Sequence, residues 1–108
     1  MRGLKLGIRG HSSFSVHFFF SALVLAAALI LNCSLSKWCL LVLCIGMVLT
    51  AELFNSAVET LFRGLDEATK AKSWHCLDIS AGAVLMASCI AIVVGAAIFL
   101  NQIIVFFE

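Results

Sequence analysis

Three long stretches of the chain contain no aspartate, glutamate, lysine or arginine, and they limit what it can fold into. They cover residues 12–36, 38–51 and 79–107. Because a helix needs about 20 residues to cross a hydrocarbon core of about 30 Å, we expect three membrane-spanning helices. They are predicted at about residues 14–31, 37–63 and 77–100, the second continuing as a helix beyond the membrane on the cytoplasmic side.

The composition agrees with a membrane protein and excludes other classes. Of the 108 residues, 63% are apolar and only 12% are charged, about half the charged share of a soluble domain. A net charge of +1 leaves no basic stripe for binding nucleic acid. The length suits one domain, residues 1–108. The five cysteines form no C-x-x-C pair, so we interpret them as small apolar residues rather than disulfides.

The basic residues predict the orientation of the chain in the membrane. They cluster at the N-terminus and in the second loop, at Arg2, Lys5, Arg9, Arg63, Lys70 and Lys72. By the positive-inside rule both segments lie in the cytoplasm and the C-terminus lies outside. The first nine residues suit a short amphipathic helix on the membrane surface, with a frayed basic tail as the alternative. A cleaved signal peptide is the rival interpretation of the first apolar stretch, but its length and the two later stretches favour a retained anchor.

A small residue recurs at every fourth position of the third stretch, at Ala83, Ala87, Ala91 and Gly95. Such a seam lets helix backbones approach closely, so it favours self-association in the membrane. Because alanine is common in membrane helices, a chance register is the alternative explanation.

Polar side chains share one face at the end of the second predicted helix. Helical spacing puts them within a sector of about 100°, and they are Glu52, Asn55, Ser56, Glu59 and Arg63. We call this face the polar stripe. A charge at the centre of a membrane helix costs about 2.5–3.5 kcal/mol on insertion scales, so Glu52 is expected to face protein, water or a bound cation. A solvated helix face is sufficient to explain Arg63.

Carboxylates at a boundary between water and lipid can carry two kinds of chemistry. Asp78, at the start of the third stretch, brings a third acid to the membrane face that Glu52 and Glu59 occupy. One carboxylate can hold Mg²⁺ together with nucleotide phosphates, and another can accept a proton from an alcohol. Together these roles describe phosphoryl transfer to a lipid hydroxyl. An ion pathway or a helix-packing lock would use the same stripe, and both stay open as alternatives.

Residues 51–59, AELFNSAVE, resemble the signature E-x-x-N-[ST]-A-[IV]-E of the prokaryotic diacylglycerol kinase family. Asp78 and the GAVL segment at 82–85 resemble the opening of that family's third membrane helix, at the family's spacing. The resemblance covers nearly the whole chain. It implies an all-α, homotrimeric kinase of the bacterial inner membrane that transfers the γ-phosphate of MgATP to a lipid alcohol. Diacylglycerol is the expected acceptor, and undecaprenol is the nearest alternative.

The resemblance also implies roles for individual residues. Glu52 would be the proton acceptor, and it would bind the lipid substrate together with Asn55 and Ser56. Glu59 would bind the metal ion and ATP, and Asp78 would contact the nucleotide.

This chain departs from the family pattern at Arg63, where family members often carry an acid, and at two positions expected to bind the metal ion or phosphate. His11 stands where the family usually has a second metal-binding glutamate, and imidazole is a poor ligand for Mg²⁺, although it can reach a phosphate or a metal-bound water. Leu77 stands where a lysine commonly precedes the aspartate, so the phosphate contact would be lost or supplied by Lys70, Lys72 or Arg63. The expected ATP site therefore includes Lys70 and the position of Leu77.

Two rival functions follow from the same residues. The changes at His11 and Leu77 motivate a catalytically impaired relative with a binding or regulatory role. A small transporter or channel subunit would need polar residues throughout the bilayer depth, whereas here they gather on one side. His17 is interpreted as a hydrogen-bonded interior residue, Trp38 as an outer interfacial anchor, and Trp74 as an inner anchor or a platform for adenine.

Overall fold

Four helices account for almost all of the computed structural model, which describes residues 2–3 and 12–108. In chain order they are α1 Ser12–Ile30, α2 Leu35–Arg63, α3 Glu67–Ser73 and α4 His75–Phe106. The described part of the chain contains no strand, which confirms the all-α prediction. The predicted surface helix of the first nine residues, apart from residues 2–3, lies outside the described residues, as does His11.

Two of the helices are long and apolar enough to cross a membrane, α2 and α4, while α1 supplies a shorter apolar helix, Phe14–Ile30. The 29 residues of α2 rise about 44 Å and the 32 residues of α4 about 48 Å, so each exceeds a hydrocarbon core of about 30 Å. α2 continues unbroken to Arg63, as predicted for its polar end. α4 passes the predicted end at residue 100 because no proline or glycine follows there to stop it.

The connection between α1 and α2 is a tight turn centred on Asn32. Its φ of 58° lies in the left-handed region, which asparagine tolerates at the end of a helix. The Cys33 N–H donates to the Ala28 carbonyl at 3.1 Å, and the Asn32 N–H donates to the Leu29 carbonyl at 3.2 Å, which together close a Schellman motif. Ser34 then caps α2 by accepting from the Lys37 N–H. The turn sends α2 back alongside α1.

The three long helices pack as an elongated bundle. α2 packs along α4, and α1 has a smaller interface with α2. A small apolar core lies near the α1–α2 turn, formed by Ala28, Cys33, Leu41 and Ile98 with Trp38 packed against it. Most other large apolar side chains are exposed, and the chain measures 62 × 25 × 19 Å. Such an apolar surface suits lipid or neighbouring protein rather than water.

A polar cluster ties the three long helices together at the end of the bundle that holds the α1–α2 turn. The Lys37 ammonium on α2 donates to Asn101 Oδ1 at 2.7 Å and to Gln102 Oε1 at 2.6 Å on α4. Gln102 Nε2 donates to the Leu31 carbonyl after α1 at 2.8 Å. Gln102 is buried, so these bonds satisfy an amide that would otherwise be costly to bury. We call Lys37, Asn101 and Gln102 the turn-end cluster.

Two expectations about small residues can be compared with the structure. All five cysteines are free, as predicted, and only Cys33 is buried. The small-residue seam of α4 lies partly inside the chain, since Ala87 is buried and Ala91 and Gly95 line a cavity between the long helices. At these positions the seam therefore faces the chain's own helices.

Candidate functional site

The polar stripe is graded in burial along α2. Glu52 is only 5% exposed and Ser56 2%, whereas Asn55 and Glu59 are half-buried and Arg63 is exposed. The grading follows from packing, because the stripe contacts α1 at Glu52 and α4 at Asn55, whereas Arg63 at its end is exposed. Of the three surroundings expected for Glu52, which are protein, water or a bound cation, the structure shows protein. The solvated interpretation of Arg63 is confirmed.

A hydrogen bond between Glu52 and His17 joins α2 to α1. His17 Nε2 lies 3.2 Å from Glu52 Oε1, across 35 residues of sequence. The histidine side chain is 26% exposed and that of the glutamate 7%, so the contact is largely screened from water. The prediction that His17 is a hydrogen-bonded interior residue is confirmed. That its partner is Glu52 was not foreseen.

A second set of hydrogen bonds joins α2 to α4 one turn further along the stripe. Asn55 Nδ2 donates to Glu59 Oε1 at 2.9 Å, and Asn55 Oδ1 accepts from Ser80 Oγ at 2.7 Å. Ser80 was missing from the sequence prediction. Its signal was position, since it lies two residues after Asp78 in the first turns of α4. The bonds hold the Asn55 amide in one orientation beside Glu59.

The Ser56 hydroxyl is buried without a hydrogen-bond partner among the residues that the structure describes. It lies one helical turn from Glu52 on the same face of α2. Leaving a buried polar group unsatisfied costs about 1–3 kcal/mol, so such a group is commonly explained by a ligand, a water or a neighbouring chain. Ser56 is therefore suited to hydrogen bonding with a group that the described residues do not supply.

The remaining candidate residues lie at the same end of the bundle but outside these bonds. Asp78 is exposed in the first turn of α4, and Leu77 beside it is half-buried. The Lys70 ammonium lies 3.7 Å from Glu67 Oε1 and 6.0 Å from the centre of the Phe62 ring. Both contacts are on the surface around α3, so Lys70 can reorient at little cost.

The short helix α3 was not predicted, although the sequence carries its start signal. Asp66 caps it by accepting from the Thr69 N–H at 3.0 Å. Hydrogen bonds from the Thr69 side chain and backbone lower the pKa of Asp66 below its ordinary value. Lys70 and Lys72 lie in the last turn, where positive charge suits the helix dipole. The cap therefore holds the basic residues of the second loop on a helix.

The donor atoms of the stripe suit a magnesium ion bound jointly with phosphates. Among the described residues no three histidine, cysteine, aspartate or glutamate side chains gather into a metal-binding group. A protein cage is not required, because Mg²⁺ is commonly held by one or two carboxylates together with substrate phosphates and water. Glu59 provides such a carboxylate, half-buried and hydrogen-bonded to Asn55.

An apolar cavity opens beside the Glu52–His17 pair. Its volume is about 500 Å³, and all three long helices contribute to its wall. His17 and Ser21 line it on α1, Val48 on α2, and Gly95 and Phe99 on α4. The cavity is thus nearly all apolar and has a polar edge where His17 meets the acid. A chain of methylene groups suits this lining better than a nucleotide does.

The geometry places a buried acid, an amide, two hydroxyls and a second acid between three helices, beside an apolar cavity. A sequence model of the family described as prokaryotic diacylglycerol kinase matches residues 1–99, which include the whole polar stripe and the cavity wall. Comparisons with curated proteins and with solved structures gave no significant match. Because the family match spans most of the 108 residues, the chain belongs to the prokaryotic diacylglycerol kinase family.

Proposed function

We propose that the protein is an ATP-dependent kinase that phosphorylates diacylglycerol to phosphatidic acid in the membrane. Membership of the family supports a lipid kinase and the use of ATP. The observation that carries the proposal for this chain is Glu52, a buried acid bonded to His17 at the polar edge of an apolar cavity. An acid in this position can take a proton from a lipid alcohol whose hydrocarbon chain lies in the cavity.

The proposed reaction is a direct transfer between two substrates. Glu52 accepts the proton of the lipid hydroxyl. At the same time the oxygen of that hydroxyl bonds to the γ-phosphorus of ATP. The bond from that phosphorus to the β–γ bridging oxygen breaks, and ADP leaves with the bond's electron pair. Glu52 then returns its proton to water, which makes the acid ready for another turnover. Burial keeps competing water from the acceptor site.

The other stripe residues would divide the binding between lipid and nucleotide. Ser56, whose buried hydroxyl has no partner within the described chain, would donate to the reacting lipid or phosphate, with Asn55 beside it. Glu59 would hold Mg²⁺ and ATP, and Asp78 would contact the nucleotide. The metal ion would neutralise phosphate charge. Lys70 would supply the phosphate contact that Leu77 does not.

We further propose that the enzyme is a homotrimer of the bacterial inner membrane with three spans per chain. The apolar part of α1, Phe14–Ile30, falls within the range of about 17–25 residues found for spanning helices. Arg63, Lys70 and Lys72 at the stripe end favour placing that end in the cytoplasm, where ATP is found, and the C-terminus outside. The exposed apolar side chains of α4 suit contact with lipid or further copies.

The substrate is tested by product identity. The protein in lipid discs is incubated with labelled ATP and Mg²⁺ against diacylglycerol, undecaprenol and ceramide in parallel. We expect labelled phosphatidic acid as the main product, and none without Mg²⁺. Undecaprenyl phosphate as the main product would replace diacylglycerol as the acceptor. Absence of phosphorylation on all three lipids would contradict the kinase proposal and favour an impaired relative.

A further inference from the structure

His17 is placed to act on Glu52 without touching the phosphates. It lies on α1, outside the signature segment 51–59, and its Nε2 approaches Glu52 Oε1 to 3.2 Å. An ionised carboxylate only accepts hydrogen bonds, so Nε2 must carry the hydrogen and donate it. For an ionised Glu52, the bond therefore places a hydrogen on Nε2 of His17 and holds one oxygen of the acid.

The surroundings make this bond matter more than a surface contact would. The Glu52 side chain is 7% exposed, so water can do little to hold its carboxylate in place. Glutamate has three rotatable side-chain bonds, and a donor on a separate helix restrains them relative to the cavity wall. His17 lines that cavity, so it lies between the acid and the space proposed for the lipid.

We propose that His17 is a positioning residue for Glu52, holding one carboxylate oxygen through Nε2–H so that the acid meets the acceptor hydroxyl at a productive angle. This inference rests on the proposed function, since it assigns the orientation of the proton acceptor. Misplacing a reacting group by about 1 Å can cost about 100-fold in rate. The expected signature is a loss in kcat with little change in the KM for ATP.

The chain offers a matched histidine that lacks this contact. His75 is exposed at the start of α4, and its ring stacks on Trp74 with 3.7 Å between ring centres. Replacing His75 with glutamine therefore makes the same chemical change at the same end of the bundle, away from Glu52. The variant controls for general effects of losing an imidazole.

Three substitutions at His17 separate positioning from packing. His17→Gln keeps a donor at the reach of Nε2, whereas His17→Asn places its amide at the shorter reach of Nδ1, and His17→Leu has no donor. We expect His17→Asn and His17→Leu to lower kcat by about 10-fold to 100-fold, with the KM for ATP within about twofold of wild type. His17→Gln should retain most of kcat, and His75→Gln all of it.

A spectroscopic measurement checks the contact independently of turnover. The ¹⁵N resonances of the His17 ring should shift between wild type and Glu52→Gln, while those of His75 stay in place. Full kcat in His17→Leu, equal losses in His17→Gln and His17→Leu, or unchanged His17 resonances would each overturn the inference. If the wild type is active and Glu52→Gln is not, any of these results leaves the kinase proposal standing. A wild type that phosphorylates no lipid overturns both.

Discussion

At the scale of single residues, Ser56 presents the clearest conflict between folding and function. Its hydroxyl is 2% exposed and has no hydrogen-bond partner within the described part of the chain. An alanine at this position would fill nearly the same space without an unsatisfied polar group. Stability alone therefore disfavours serine here, which agrees with a role in binding substrate.

Replacing Ser56 with alanine should separate these two effects. We expect a melting temperature equal to or above that of wild type. We also expect kcat/KM for the lipid to fall by about 10-fold, because the variant loses one hydrogen bond to the reacting lipid or phosphate. Thermal unfolding and turnover in lipid discs measure the two quantities. Ser36→Ala, at an exposed position near the start of α2, is the control. A lower melting temperature with full activity would assign Ser56 to packing instead.

Sequence reasoning found the members of the polar stripe but not their partners. The stripe depends on the 3.6-residue period of one helix, which sequence spacing encodes directly. The cost of an intramembrane charge likewise predicted that Glu52 faces protein, water or a bound cation, without choosing among the three. The contacts from His17 to Glu52 and from Ser80 to Asn55 join residues on different helices, 35 and 25 positions apart in the sequence. They depend on how the helices rotate against one another, which no local pattern specifies.

At the scale of helices, the turn-end cluster should hold the bundle without taking part in chemistry. Gln102→Leu removes the acceptor of one Lys37 bond and the donor to the Leu31 carbonyl. Because those partners stay behind, we expect a loss of about 1–3 kcal/mol in the free energy of unfolding. The rate of lipid phosphorylation, at the opposite end of the bundle, should stay within about twofold of wild type. Such a change is well below the tenfold that corresponds to about 1.4 kcal/mol. Reversible unfolding in mixed detergent measures the first quantity.

The matched variant for that experiment is Asn101→Leu. It removes one exposed acceptor and leaves no buried polar group without a hydrogen-bond partner. It should destabilise the bundle less than Gln102→Leu does. Equal stability of Gln102→Leu and wild type would contradict the role given to the turn-end cluster.

The cap of α3 should respond to acid. The pKa of Asp66 is lower in the folded chain than in the unfolded chain, where it is about 3.9. At any pH above that unfolded pKa, the ionised Asp66 therefore contributes its full stabilisation of α3. That contribution decreases as the pH falls toward and through the lower folded value. The Cα chemical shifts of residues 67–73 should therefore lose helical character in acid. Asp66→Asn keeps a cap that does not titrate, so identical pH dependence in both proteins would contradict the assignment.

The elements themselves were predictable to different degrees. Hydropathy located the three long helices because lipid demands long apolar runs. The third helix was predicted to end at about residue 100, but α4 continues to Phe106, and Asn101 and Gln102 accept hydrogen bonds from Lys37. α3 was missed because seven residues give too little periodicity, despite the Asp66 cap.

At the scale of the whole molecule, the apolar cavity should set which acceptors fit. Gly95 lies in its wall, and a Cβ added there meets no heavy atom within 4 Å, so a larger side chain can enter the space. Gly95→Leu should therefore lower kcat/KM for long-chain diacylglycerol by about 10-fold, in the range typical of an added or missing methylene in a pocket. Short-chain diacylglycerol should be much less affected. Rates with both acceptors in lipid discs measure the difference.

Gly46→Leu is the control for that change. An added Cβ at Gly46 also meets open space, but this residue of α2 is exposed and does not line the cavity. It should leave the ratio of the two rates unchanged. An equal loss for long and short chains in Gly95→Leu would contradict the cavity as the acyl site.

The most direct test of the account is the rate of lipid phosphorylation by Glu52→Gln. The amide is nearly isosteric but cannot accept the proton, so we expect kcat to fall by about 100-fold to 10,000-fold, the usual contribution of a general base. Glu67→Gln, a highly exposed acid on α3, should act like wild type, and both variants should unfold at the wild-type temperature. Glu52→Gln that transfers phosphate at the wild-type rate would contradict the account.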